Sequence, residues 1–356
     1  MKIAYLLRHN LSLNDGVTKK IFDQVNQWKN ENHNVEIFCY TSIQNNNFNA
    51  HTYNIKNSFK YKFLLHKTLI HDLKEYNPDI IYYRYSTYNY TLSYILKKYM
   101  IVVEINSDDL SESYLLLKRK KNLINYVRYY TFKLFRSMLL QKVKGMITVT
   151  KEISSLNQFT KYSKPITYIP NGIDLIKYQV IKENTLTNRI GLFFMGSPNQ
   201  PWHGIDLIIK LSTYLPQYDF HIIGIHGENK NNLYWHGYLE ESNYIKILKK
   251  CHICIGTLAL YRKNMKEACP LKVREYLAYG YPTIINYKDT AFIENEPPFL
   301  FNINNQEFNL TLSESINKFI IKYKDYKVSH VDIQNINIKN TEIKRLNFFH
   351  SINKKV

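Results

Sequence analysis

At 356 residues, with 45% hydrophobic and 22% charged side chains, the chain can bury ordinary cores; a broadly disordered protein and a lone small domain are both excluded. Lys and Arg number 48 against 29 Asp and Glu, a formal net charge of +19, which favours an anionic partner (nucleic acid, anionic lipid or a phosphorylated small molecule) without choosing among them. Part of that excess is discounted, because runs such as IQNNNFNA and NINNQEFN carry the Asn, Ile, Lys and Tyr of AT-rich codons.

The first apolar run, KIAYLL, ends at RHNLSLNDGVTKK and is followed by the helical pattern IFDQVNQWKNENH. Strand, loop holding Gly16, then helix is the opening of a βαβ unit. MKIAYLL meets Arg8 before a secretory apolar region can form, and no run approaches the roughly 20 apolar residues of a membrane-spanning helix. The expectation is a cytoplasmic protein, soluble or peripheral at the inner face of a membrane. VEIFCYT (35–41), DIIYYRY (79–85), IVVEIN (101–106) and GMITVT (145–150) read as further strands, an alternation that implies a parallel sheet with its ligand loops at the strand C-termini. Between the last two lies 114–144, which holds Lys118, Arg119, Lys120, Lys121, Arg128, Lys133, Arg136, Lys142 and Lys144, no acidic residue, and many aromatic and Leu side chains. Read as a helix, such a segment suits an anionic membrane surface, and equally a core-facing helix with a solvated basic side.

Turn chemistry at Pro165, Pro170, Asn171 and Gly172 marks a boundary, after which RIGLFFMG, DFHIIGI, CHICIGTLA and YPTIINY read as strands between helical segments such as GIDLIIKLSTYL. Cys251 and Cys254 have metal or redox spacing but fall at the start of a buried strand, so they, Cys39 and Cys269 are read as structural thiols of a reducing compartment. NTEIKRLNFFHSINKKV suits a terminal helix. Two successive α/β domains follow, 1–167 and 168–338, with 339–356 packing back on the first.

The stretch EACPLKVREYLAYG carries the chemistry. Pro270 fits the first helical position and Gly280 the left-handed one past the end, which predicts a helix over 270–279. Its free amides at Leu271, Lys272 and Val273 suit an anion such as a diphosphate. Glu275, one turn on and beside Lys272, suits two vicinal ribose hydroxyls; Glu267, in the preceding loop, suits hydroxyls on whatever the diphosphate carries. From spacing alone, a solvated amphipathic helix with an incidental glutamate pair fits as well.

EACPLKVREYLAYGYP resembles the E-x7-E signature of glycosyltransferase family 4, YIPNGID its interdomain motif, and FFMGSPNQPWHGIDLIIKLS the glycine-loop block opening its second domain; with KIAYLL…DGVTKK they stand in the family order. The resemblance implies a GT-B α/β architecture, two Rossmann-like domains facing a cleft with the C-terminal helix crossing back. It implies transfer of a hexose from a nucleotide-diphosphate sugar with retention, with no metal and no cofactor beyond that donor substrate, to a surface-glycan or glycolipid acceptor. Carried over by position, Glu267 meets the donor sugar, Glu275 the ribose, and Gly16 and Gly196 the loops near the phosphates.

The chain departs from the family where relatives carry an arginine and a lysine on the second glycine loop: Ser197 and His203 stand there. Lys272, Arg274 and the helix amides are then the expected stabilisers of leaving-group charge; His203 either contributes to it, above all if protonated, or is simply packed beside Trp202. Asn106 replaces a histidine that contacts the donor sugar in relatives. Glu104, Asp108 and Asp109 are candidates to bind or position the acceptor, and the adjacent Asp pair lacks the spacing of an acidic metal motif. These departures leave open a catalytically weak nucleotide-sugar-binding relative, and an epimerase on the same fold. No nucleic-acid module is recognisable in the chain.

Overall fold

The computed structural model describes residues 1–11, 15–42, 50–55, 63–86, 89–119, 121–185 and 187–353. The chain forms two units, Met1–Pro170 with Ile338–Val356, and Asn171–Asn337.

The first unit is built on seven parallel strands: β1 (Lys2–Arg8), β2 (Asn34–Thr41), β3 (His51–Asn54), β4 (Ile80–Arg84), β5 (Ile101–Ile105), β6 (Gly145–Thr148) and β7 (Ile166–Tyr168), in the spatial order β3-β2-β1-β4-β5-β6-β7. Central strands such as β5 are buried along their whole length, as a parallel sheet covered on both faces requires. The order reverses between β1 and β4, which opens a crevice beyond their C-terminal ends. The C-terminal helix Ile338–Asn353 belongs to this unit. Its Glu342 carboxylate accepts from Trp28 Nε1 at 2.9 Å and Gln24 Nε2 at 3.2 Å, and Phe349 packs against the Trp28 and Tyr82 rings.

The second unit repeats the plan with six parallel strands: β8 (Gly191–Met195), β9 (Asp219–Ile223), β10 (Leu233–Gly237), β11 (Cys251–Ile255), β13 (Thr283–Ile285) and β15 (Leu300–Asn302), in the order β10-β9-β8-β11-β13-β15. A two-residue pair, β12 (Glu267–Ala268) and β14 (Lys288–Asp289), lies apart from that sheet. Here the order reverses between β8 and β11. All four cysteines are buried free thiols, with Cys251 and Cys254 inside β11.

Sequence patterning finds the central strands of both sheets and misses β3, β7, β10 and β15. These four are the outermost strands of their sheets. An edge strand is short and half solvated, so it carries no continuous apolar run; HTYN of β3 has one buried residue in four.

The basic stretch folds as two helices, Asp109–Arg119 and Leu123–Leu140. Arg136 is a correction to its reading as a surface cation. It is buried, with its guanidinium on both oxygens of Asp109 at 2.8 and 3.1 Å and over the Phe159 ring at 4.9 Å. Lys120 and the side chains of Arg119 and Arg128 lie outside the described residues.

Candidate functional site

The helix of the E-x7-E stretch spans Leu271–Ala278, with Pro270 as its N-cap, one place earlier than the first helical position expected, and Gly280 at φ +93° after its end. Two contacts set it over the reversal point of the second sheet. The Tyr276 hydroxyl oxygen accepts from the Met195 amide at the end of β8 (2.8 Å), and Val273 lies against Gly256 just beyond β11. The N-terminus of the helix is thereby held at the C-terminal ends of the strands, where a parallel α/β sheet binds its ligand.

Lys272 shares the Tyr276 face, four residues away, and its Nζ sits 4.2 Å from the centre of the Phe194 ring near the end of β8. That nitrogen is buried and has no hydrogen-bond partner. An ammonium taken out of water without a counter-charge is costly, and the ring face offsets only part of the cost. Burial accordingly pushes the Lys272 pKa down to about 7. Among the described residues the amides of Leu271 and Lys272 have no backbone acceptor either, whereas that of Val273 donates to the Pro270 carbonyl at 3.1 Å. Three unspent N–H donors on one ammonium and two backbone amides converge at one helix end. This arrangement is built for an anion.

The loop after β8 borders the same place. Gly196 has room for no side chain: a Cβ there would come within 2.7 Å of the His203 ring and 2.8 Å of Phe194. Ser197 is exposed on this loop. His203 packs against Phe194 and Trp202, and burial, then the Lys272 charge, push its pKa down to about 2. Burial thus favours its neutral form in the empty site, and of the two readings of His203 the contacts match the packed one; its buried Nδ1 has no partner.

The remaining second-unit residues divide. Glu275 is buried and accepts a hydrogen bond from the Tyr244 hydroxyl, which orients its carboxylate. Glu267 is half-buried in β12, beside Lys288 of β14. Arg274 points the other way. It is fully buried, bidentate to Asp289 at 2.7 and 2.8 Å, with its Nε on the Asn171 carbonyl at 2.9 Å. Expected as a stabiliser of leaving-group charge, Arg274 instead locks the NG of YIPNGID to the E-x7-E helix, an arrangement completed by Asn171 Nδ2 on the Cys269 carbonyl.

In the first unit, Gly16 opens the helix Gly16–Asn30, which Asp15 caps by accepting from the Thr18 amide at 2.8 Å. Asn106 stands just past β5. Its Oδ1 accepts from Arg84 at 3.1 Å and Lys20 at 3.3 Å, and its Nδ2 donates to Glu104 at 3.2 Å. Glu104 is the centre of this cluster: fully buried, 2.6 Å from Lys20 Nζ and 2.9 Å from Arg84, with Arg345 of the C-terminal helix 3.7 Å away. Burial opposes its charge, but Lys20 and then Arg84 hold the carboxyl well below the usual range. An acceptor-side role for Glu104 is thus corrected to an internal ion-pair hub. Asp108 and Asp109 are corrected likewise: Asp108 accepts from the Ser111 amide, the Ser111 hydroxyl and Gln158 Nε2, and Asp109 is taken by Arg136.

With this geometry in view, the likenesses to known proteins can be read. Residues 14–177, nearly the whole first unit, match Glycosyltransferase Family 4. The chain as a whole is similar to sucrose-phosphate synthase from Thermosynechococcus elongatus (11% identity, TM-score 0.71, 99% of this chain and 100% of that one). It is similar also to a glycosyltransferase from Rickettsia africae ESF-5 (14%, 0.68, 100% and 99%) and to Anabaena HepE, solved in complex with UDP-glucose (12%, 0.64, 99% and 100%). At these identities the likeness is one of fold, a GT-B architecture over the full length. No curated protein matches by sequence. The chain has the GT-B fold.

Sequence reasoning missed the residues that hold these candidate side chains in place: in the second unit Tyr244 behind Glu275, Asp289 behind Arg274 and Phe194 under Lys272, and in the first unit Lys20 and Arg84 around Asn106. Each sits at least 15 residues from its partner, and no local pattern links them.

Proposed function

We propose that the protein transfers a hexose, with retention and without a metal, from a nucleotide-diphosphate sugar to a glycan or glycolipid acceptor at an anionic membrane surface. The observation that carries this reading is the buried, unpaired Lys272 ammonium at the free end of the 271–278 helix. Lys272 and the Leu271 and Lys272 amides would hold the diphosphate, Glu275 the ribose and Glu267 the hydroxyls of the donor sugar. With no cation on the glycine loop at Ser197 or His203, charge developing on the leaving diphosphate falls to Lys272 and the helix end. The acceptor hydroxyl attacks from the face the nucleotide leaves, and the departing phosphate takes its proton. Catalysis is then positioning plus stabilisation of leaving-group charge. The UDP-glucose held by HepE makes uridine nucleotides the first donors to try.

The membrane part rests on the helix Leu123–Leu140. Leu123, Val127, Tyr130, Leu134 and Met138 recur at helical spacing and are exposed, Leu123 by 78% and Leu134 by 69%. Exposed Phe63 packs against Phe135 of this helix, and Lys118, Lys121, Lys133, Lys142 and Lys144 are exposed around the same helix pair. An uncovered apolar stripe fringed by lysines fits the boundary of an anionic bilayer. No described helix is long and apolar enough to cross one.

Calorimetric titration with UDP, GDP, ADP and CMP, with and without EDTA, tests the donor site. Saturable binding of one nucleotide unaffected by EDTA is expected. Glu275→Ala should weaken that binding at least about tenfold, while Glu267→Ala should slow sugar transfer more than it weakens binding. Folded protein that binds none of the four refutes the reading. Tight binding with no transfer to any acceptor selects the catalytically weak relative, which exposed Ser197 and neutral His203 favour.

A further inference from the structure

Resting on the donor site just proposed, we infer that Lys272 is a proton-linked clamp: it sheds its charge when the site is empty and takes a proton from solvent onto Nζ when a nucleoside diphosphate binds. Three features of the site lead there. Lys272 Nζ is buried and makes no hydrogen bond, so in the empty site nothing compensates its charge except the face of Phe194. The charged groups around it are either cations or already engaged. On its own helix Arg274 is held by Asp289 and Glu275 accepts from Tyr244. From the 201–203 turn comes neutral His203, whose Nδ1 is as unsatisfied as Lys272 itself. From the 260–263 turn comes Lys263, whose ammonium lies over the Trp202 ring at 4.4 Å and whose charge disfavours protonation of His203. Glu267 precedes the helix in β12, with Lys288 opposite in the strand pair. No carboxylate forms a salt bridge to Lys272 among the described residues, and burial alone depresses its pKa, to about 7.

A diphosphate arriving at the helix end supplies the missing counter-charge, and the pKa of Lys272 then returns towards that of an ordinary ammonium. At pH above about 7 each binding event must therefore draw a proton from solvent, and affinity must fall as pH rises through the range in which the empty site is neutral. The reverse step has a use in turnover. As product diphosphate leaves, the ammonium can drop its proton, so the clamp weakens with departure instead of holding the product.

The test is calorimetric titration of the whole protein with UDP, GDP and ADP at pH 8 in buffers of different ionisation enthalpy, followed by dissociation constants from pH 7.5 to 9. For the nucleotide that binds, heat that varies with the buffer should report uptake of close to one proton, and Kd should rise by nearly tenfold per pH unit. Lys272→Arg, which stays charged throughout, should bind with no proton uptake and a flat profile; Lys272→Met should bind more weakly and also flat. Nucleotide binding with buffer-independent heat in the unaltered protein, or a Lys272→Met profile as steep as the parent, overturns the inference while leaving the donor site intact. Binding of none of the three nucleotides overturns the donor site and the inference together.

Discussion

Lys272 and Arg274 stand two positions apart on one helix, and both are expected from sequence to meet a leaving diphosphate. A helix turns through about 200° over two residues, so only one of them can face the ends of β8 and β11. Lys272 does, beside Phe194, while Arg274 faces the interior and joins Asp289 and Asn171. Residue type alone announces a cation and leaves its direction open. Removing one partner of a fully buried, bidentate pair strands the other charge, so Arg274→Met should lower stability by about 3–5 kcal/mol in urea unfolding. A second change, Asp289→Leu, should recover part of that loss. A normal unfolding midpoint in the single variant would return Arg274 to the candidate phosphate ligands.

At the scale of elements, the C-terminal helix is part of the first unit through polar contacts as well as apolar ones. Arg345, fully buried, donates to Glu342 at 2.8 Å and to the Tyr82 hydroxyl at 2.6 Å, and lies 3.7 Å from Glu104. Glu104 thus ties β5, the Gly16–Asn30 helix through Lys20, β4 through Arg84 and the chain terminus into one network. Its carboxyl is held below its ordinary value, burial opposing and Lys20 then Arg84 favouring the charge. A depressed folded pKa contributes stability that is present above the unfolded value, near 4.5, and is lost as pH falls through the folded one. Urea midpoints measured from pH 7 down to pH 3 should therefore drop steeply at the acid end. Glu104→Gln should lower the midpoint at pH 7 and flatten that acid limb. An acid limb as steep as the parent's would take Glu104 out of the account. From the sequence, Glu104 is one acidic residue inside an apolar run, and only the pairing of β4, β5 and two distant helices reveals what it is for.

Over the whole molecule, the +19 charge becomes specific only when its distribution is known. Arg136 is withdrawn into the interior by Asp109, while Lys118, Lys121, Lys133, Lys142 and Lys144 stay exposed near the apolar stripe of the Leu123–Leu140 helix. Partition onto vesicles containing phosphatidylglycerol should exceed that onto neutral phosphatidylcholine and weaken between about 0.1 and 0.5 M salt, because exposed charges are screened. Replacing Ile124 and Leu134 together by Glu should cut it at least about tenfold, since each change removes an exposed apolar anchor, Ile124 being 75% exposed, and adds a like charge to an anionic surface. Nucleotide affinity of the double variant should be unchanged. Equal partition of the variant and the parent would exclude this helix as the docking face.

Sequence by itself determined the class of this molecule: two successive parallel α/β units, their central strands, the helix behind Pro270 and the family motifs in their order. All of these are written in local periodicity, turn residues and short spacings, which are properties of neighbouring residues. Tertiary structure alone decided which charges are available. Glu104, Asp108, Asp109, Arg136 and Arg274 look like surface or site residues in the chain; Glu104, Asp109, Arg136 and Arg274 are ion-paired by partners brought close by sheet pairing or helix packing, and Asp108 is taken up by hydrogen bonds from Ser111 and Gln158. Lys272 is the converse case. Folding buries its Nζ against Phe194 and brings no counter-charge, and an amine left without a partner in a low-dielectric place can be recognised only after everything around it has been positioned.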